Sequence, residues 1–142
     1  MFLGEYQHSL DAKGRVILPA RYRDQLADGA FVTKGLGGCL AVYTPEGFEE
    51  VASKAREQSM QGDKWLNVAR SFFGGALDIT LDRQGRFAIP QTLRDYASLQ
   101  REVVVVGMYS RIEIWDREKW QEINQAGAAA LTGDDELPAF GI

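Results

Sequence analysis

Apolar and polar positions alternate along most of the chain in short runs, and turn residues separate the runs. Alternation over four to eight residues marks half-buried strands. Residues 5–10 and 77–81 form one such pair of segments, and 15–18 (RVIL) and 86–89 (RFAI) form a second. Between them lies Asp-x-x-Gly, a turn in which Asp bonds its own downstream backbone and Gly accepts positive φ. Pro19 and Pro90 end the second strands and preset φ for a short helix at 20–26 and 91–97. Tyr22 and Leu26, like Leu93 and Ala97, stand four apart on one helical face. Strand pairs 30–34 with 39–43 and 102–106 with 111–115 follow. A helix then opens at Thr44-Pro45 in one half and at Asp116 in the other. Phe48, Val51, Ala52 and Ala55 keep helical spacing, as do Leu66, Ala69 and Phe73 after a cap at Asp63 and before a stop at Gly74-Gly75. An alanine-rich helix and a tail, TGDDELPAFGI, close the chain.

The same order of elements occurs twice because the chain is a tandem duplication. Residues 9–26 and 80–97 share seven identities in eighteen positions: Leu10/Leu81, Asp11/Asp82, Gly14/Gly85, Arg15/Arg86, Pro19/Pro90, Arg23/Arg94 and Asp24/Asp95. After a slip of one residue, Gly35 aligns with Gly107, Leu40 with Ile112, Val42 with Ile114 and Tyr43 with Trp115. Two copies are too few for a solenoid. The division expected is repeat 1 at 5–50, connecting helices at 51–76, repeat 2 at 77–123 and a mobile tail at 128–142. Neither copy has the apolar residues to be stable alone, so their hairpins are expected to close one shared β barrel.

Charge separates the motif from the rest of the chain. The net charge is −4 and the pI about 5.0, which argues against a generic nucleic-acid coat. Yet residues 11–24 carry Lys13, Arg15, Arg21 and Arg23 against Asp11 and Asp24, and 82–95 carry Arg83, Arg86 and Arg94 against Asp82 and Asp95. The motif copies are thus the basic parts of an acidic protein, and local charge governs contact with phosphate. One Cys and one His exclude an internal disulfide and a Cys/His zinc site within one chain. No apolar stretch is long enough to span a bilayer, and no signal peptide is expected. A cytosolic protein without structural metal or cofactor is the resulting expectation.

Asp11…Arg15 and Asp82…Arg86 are the sharpest candidate chemistry. In isolation, Asp-x-x-Gly-Arg is most often a capped surface hairpin whose Arg pairs with a nearby carboxylate. Duplication changes the weighting. A strand hairpin bearing Arg, offered twice, suits a repetitive polyanion, since the Arg fork matches O6 and N7 of guanine and a two-stranded ribbon enters the major groove. Asp11, Asp82, Gly14 and Gly85 would shape the turns. Other candidates are weaker. Gly35-Leu36-Gly37-Gly38 precedes a strand, so it reads as a hairpin loop rather than a phosphate loop. His8 reads as a satisfied surface histidine, and Cys39 as a small buried side chain. Trp65, Trp115, Trp120, Phe72 and Phe73 read as core or subunit interface. No pair of acids is placed for general acid–base work, so no enzyme is expected.

Residues 1–26, residues 80–97 and VVVVGMYSRIEIWD together resemble the bacterial MraZ family, over all of the chain except the tail. That family is similar to a tandem pair of SpoVT-AbrB domains. The resemblance implies an α+β fold: a pseudo-two-fold swapped-hairpin, AbrB-like double-ψ/β barrel with flanking helices. It implies a cytoplasmic, nucleoid-associated transcriptional regulator, usually a repressor of the division and cell-wall gene cluster. It implies double-stranded DNA, as short direct repeats in the protein's own promoter, and a homo-oligomeric ring as partners. DNA contacts then fall to Arg15 and Arg86, with Lys13 and Arg83 beside them. The competing expectation is a ring-forming barrel that acts through protein–protein contacts without specific DNA binding.

Overall fold

A computed structural model describes residues 1–133 and 140. The first copy contains β1 (Glu5–Ser9), β2 (Arg15–Ile17), α1 (Ala20–Arg23, running on as a 3-10 turn, Asp24–Leu26), β3 (Ala30–Lys34) and β4 (Leu40–Tyr43). The second contains β5 (Leu77–Ile79), β6 (Arg86–Ala88), α4 (Gln91–Tyr96), β7 (Glu102–Gly107) and β8 (Ile112–Asp116). Helices α2 (Pro45–Gln58) and α3 (Asp63–Gly74) join the copies, and α5 (Arg117–Thr132) follows β8. Thr44 and Asp116 cap their helices as expected, accepting from the backbone N–H of Gly47 and Lys119. Helix α5 runs on into the segment read as a tail, while 134–139 and 141–142 lie outside the described residues.

The strands form a six-stranded antiparallel sheet, β1-β7-β8-β4-β3-β5, and a separate two-stranded ribbon, β2-β6. This mixed α+β arrangement is not the closed barrel expected. β1 and β5 are opposite edges of the sheet, four strands apart, and no ladder joins them among the described residues. The ribbon strands are too short to close the gap. Each begins at an Asp-x-x-Gly turn and stops before Pro19 or Pro90, which has no N–H to continue a ladder.

Four of the six ladders among the described residues nevertheless join one copy to the other. β1 of the first copy pairs with β7 of the second, and β5 of the second pairs with β3 of the first. β4 lies against β8 with Leu40↔Ile114, Ala41↔Glu113 and Val42↔Ile112. The ribbon pairs Arg15↔Ala88, Val16↔Phe87 and Ile17↔Arg86. In both places equivalent residues trade partners about a central pair, so a pseudo-two-fold axis passes through Ala41/Glu113 and Val16/Phe87. The ladders also correct one alignment. Ala30 and Val32 face Ile79 and Leu77 just as Val103 and Val105 face His8 and Tyr6. Ala30 is therefore equivalent to Val103, and Gly107 to Lys34 rather than to Gly35. Gly107 lies against the Phe2–Leu3 backbone, with room for no Cβ (Leu3 Cα would be 2.6 Å away), whereas Gly35 opens the β3–β4 hairpin against Cys39. Two glycines with different duties were matched by identity alone.

Strand periodicity places the core. Ala30, Val32, Leu40, Val42, Val103, Val105, Ile112 and Ile114 line one sheet face. Val16, Leu18, Tyr22, Leu26, Phe87, Ile89, Leu93 and Ala97, from the ribbon and the short helices, cover them. Each fully enclosed large aliphatic side chain here contributes about 1.5–3 kcal/mol relative to exposure. The opposite sheet face carries α2, α3 and α5. There Thr33 donates to the Phe72 carbonyl at 2.6 Å, and Phe48 stacks between Phe31 and Phe72. Buried Glu113 accepts from the Trp115 indole at 3.0 Å and from Arg111 at 2.9 Å, so its burial is compensated. Of the residues expected in the core or a subunit interface, Trp115 is core, whereas Trp65 is 38% exposed and is not part of it.

Candidate functional site

The ribbon and its two turns are built from local rules. Asp11 Oδ1 accepts from the backbone N–H of Lys13 and of Arg15, both at 2.9 Å. Its Oδ2 accepts from Arg15 Nε at 2.6 Å. Asp82 repeats the pattern: Oδ1 accepts from Gln84 N and Arg86 N at 2.9 and 2.8 Å, and Oδ2 from Arg86 Nε at 2.9 Å. One carboxylate thus shapes each turn and fixes the arginine that leaves it. The expected turn-capping duty and the expected orienting duty are the same set of bonds.

The ribbon aims the arginines outward. Val16 and Phe87 are buried in the core, so their strand neighbours Arg15, Ile17, Arg86 and Ala88 share the opposite face. Among the described residues, Arg15 and Arg86 give only Nε to protein side-chain acceptors, which leaves the Nη groups free. Lys13 and Arg83 are exposed on the turns themselves, one residue apart in the aligned repeats. The two heads are therefore alike in Asp, Gly and Arg and unlike at their tips: Ala12-Lys13 on one, Arg83-Gln84 on the other.

Gly14 and Gly85 hold φ of +72° and +79°, a region that side-chain-bearing residues rarely adopt. They also have no room for a Cβ. At Gly14 the space is filled by the Arg94 guanidinium, whose Cζ would be 2.6 Å from a Cβ; at Gly85 it is filled by Arg23, with Cζ at 2.5 Å. The turns are tied across the copies as well. Ile89 N donates to the Gly14 carbonyl and Leu18 N to the Gly85 carbonyl, each at 2.9 Å. Arg23 and Arg94 were legible as shared identities of the repeat, but nothing local in the sequence ties either one to the other copy's turn.

Both aspartates titrate below the ordinary 3.8, first because the backbone N–H of Arg15 or Arg86 bonds the charged form, and then through the arginine side chain. A depressed folded-state value contributes stability that is present above about pH 4 and lost as pH falls through the lowered value. The thermal midpoint of the wild type should therefore exceed that of Asp11→Asn/Asp82→Asn at neutral pH. The gap should close as pH falls below about 4 and through the lowered value. A gap that stays constant across that range in calorimetric scans would show that the carboxylate charge does not hold the turns.

The remaining candidates separate clearly. His8 sits in β1, half-buried, with Nε2 enclosed and without a partner among the described residues, so it is not the satisfied surface histidine expected. Burial, and then nearby Arg23, lowers its pKa and favours the neutral ring. Cys39 is buried as expected, and burial pushes its thiol up to about 12, far from a nucleophile's range. Gly35–Gly38 form the β3–β4 hairpin loop.

Two repeats that lend each other edge strands, and that together present a pair of Asp-x-x-Gly-Arg turns, define an internally duplicated α+β protein with a single basic ribbon. The family model described as "MraZ protein, putative antitoxin-like" matches residues 1–66 and 72–136. A protein of Moorella thermoacetica is 48% identical over 122 residues, covering 86% of this chain and 85% of its own. One of Finegoldia magna is 43% identical, covering 95% and 93%. One of Clostridium acetobutylicum is 39% identical over the full length of both chains. All three carry the name transcriptional regulator MraZ. This chain belongs to the MraZ family.

Proposed function

We propose that this chain is a transcriptional regulator that binds double-stranded DNA sequence-specifically through the β2–β6 ribbon. The observation that carries the reading is the pair of outward arginines with free Nη groups, each held at Nε by its own aspartate. A guanidinium so held has its fork available for O6 and N7 of guanine in the major groove, and loses little freedom on binding. Lys13 and Arg83 contact phosphates or neighbouring bases. The names of the relatives supply the regulatory role. The finer expectations belong to the same reading: repression of the division and cell-wall cluster through direct repeats in its own promoter, a nucleoid-associated place in the cytoplasm, and a swapped-hairpin, AbrB-like fold. The exchange of β1 and β5 between the copies supports that fold. No helix among the described residues is long and apolar enough to cross a membrane.

The reading includes self-assembly into a ring. An acidic protomer with two small basic heads binds weakly alone, and several heads meeting tandem repeats gain affinity through effective concentration. An apolar groove of about 570 Å³ beside Trp65, Val68, Phe72 and Tyr96 supports such contacts. The same groove favours the second reading, in which the protein works through protein contacts alone. Fluorescence anisotropy with labelled DNA from upstream of the protein's own operon, against a shuffled sequence, tests between them. Specific binding should weaken steeply with added salt as counterions are released. Equal affinity for both probes from a well-folded oligomer would favour the second reading.

A further inference from the structure

We propose that Arg23 and Arg94 are crossed positioning residues: each holds the DNA-reading turn of the repeat to which it does not belong. The inference rests on the proposed function for the meaning of the turns, but its geometry is independent of DNA. Arg94, from the second copy, fills the space under Gly14 of the first turn. Arg23, from the first copy, fills the space under Gly85 of the second. Neither forms an ion pair among the described residues, so neither is accounted for by a carboxylate partner. Both are half-buried, which is costly for a guanidinium without a structural duty.

The two supports are fixed differently. Arg23 Nε donates to the Leu18 carbonyl at 3.1 Å, at the end of its own ribbon strand. Arg94 Nη2 donates to Gln91 Oε1 at 2.7 Å, and its buried Nε has no partner among the described residues. Gln91 is Ala20 in the first copy, so this second anchor exists on one side only. A cleft bordered by Asp11, Gly14, Gln91, Arg94 and Arg101 opens beside the Arg94-supported turn. The guanidinium is the part that matters: Arg94 reaches the glycine position with Nη1 and Arg23 with Nε, and a bulkier or rounder group there would displace the turn. The repeats thereby become mutually dependent: each supplies one reading head and the floor of the other.

The test is crosswise. Hydrogen–deuterium exchange is measured on free, full-length protein for Arg94→Gln and Arg23→Gln, with Arg94→Lys and Arg23→Lys as charge-retaining variants. Arg94→Gln should raise exchange at 11–15 and leave 82–86 unchanged, and Arg23→Gln should do the reverse. The lysine variants should behave like the glutamines. Uptake that rises equally in both turns, rises in the variant's own repeat, or rises in neither overturns the proposal. DNA affinity then provides a double-mutant cycle. Arg94→Gln and Arg15→Ala should be non-additive by roughly tenfold, whereas Arg94→Gln and Arg86→Ala should add. Additivity in both cycles would make the arginines plain phosphate contacts and overturn their positioning role. Failure of wild type to bind specific DNA would sink the proposed function while leaving the exchange result to stand on its own.

Discussion

Arg15→Ala/Arg86→Ala is expected to lose sequence-specific DNA binding while keeping the fold. The two side chains lie on the outward ribbon face, at 31% and 28% exposure, and among the described residues their only side-chain partner is the aspartate four residues earlier. Partly exposed pairs of this kind contribute little to stability. Each arginine that reads a base pair is worth about 1–3 kcal/mol, and losses at separate contacts add. The double variant should therefore fall by about 2–6 kcal/mol per bound protomer, which brings it close to nonspecific affinity. Arg15→Lys/Arg86→Lys separates charge from shape. Lysine keeps the cation but not the planar fork, so it should retain much of the salt-dependent affinity and lose the preference for the specific probe. Anisotropy titrations of wild type, alanine and lysine variants against specific and shuffled DNA decide the matter. Retention of wild-type preference in the alanine variant would return the motif to turn capping alone.

The second large effect falls on the glycines that face the crossed arginines. Gly14→Ala and Gly85→Ala each place a Cβ in a backbone region that costs about 1–3 kcal/mol and into a space already filled by a guanidinium. Displacing that group adds an overpacking cost of about 1–3 kcal/mol. Each variant should lose roughly 3 kcal/mol in urea unfolding. Gly127→Ala is the opposing control. It lies within α5, has an ordinary φ and meets nothing within 4 Å, so it should gain up to about 1 kcal/mol. If Gly14→Ala and Gly85→Ala were as stable as wild type, the turns would not be held as described. A loss at Gly14→Ala that fell to the backbone share alone in an Arg94→Gln background would locate the remainder at that contact.

Much of this protein was legible along the chain because its governing interactions are local. Strand alternation, the Asp-x-x-Gly turns, the prolines that stop the ribbon and the Thr44 and Asp116 caps all act within a few residues, and each element formed where the pattern placed it. The repeat was legible because Leu10/Leu81 through Asp24/Asp95 are matched residue for residue, and matching local patterns build matching units. The pair Arg15 and Arg86 stood out in the sequence for the same reason. The loops were less legible. The slip between the copies was placed as one residue at Gly35/Gly107, but ladder register makes it two residues from Ala30/Val103 to Lys34/Gly107 and one residue again by Leu40/Ile112, because Gly107 is held by the N-terminal backbone and not by the hairpin.

What the chain determined by itself is the list of parts, the duplication and the chemistry of the two turns. The tertiary structure decided which parts meet. Hydrophobic burial is non-directional, so β1 has an apolar face that suits β3 of its own copy as well as β7 of the other, and no residue in the strand states the choice. The choice is made when both copies fold at once: one sheet and one ribbon bury more apolar surface than two separate halves, and the exchange of β1 and β5 satisfies the backbone of each half. From that exchange follow the open sheet in place of a closed barrel and the seating of Arg23 and Arg94 beneath turns 62 and 80 residues away, distances over which no local pattern reaches.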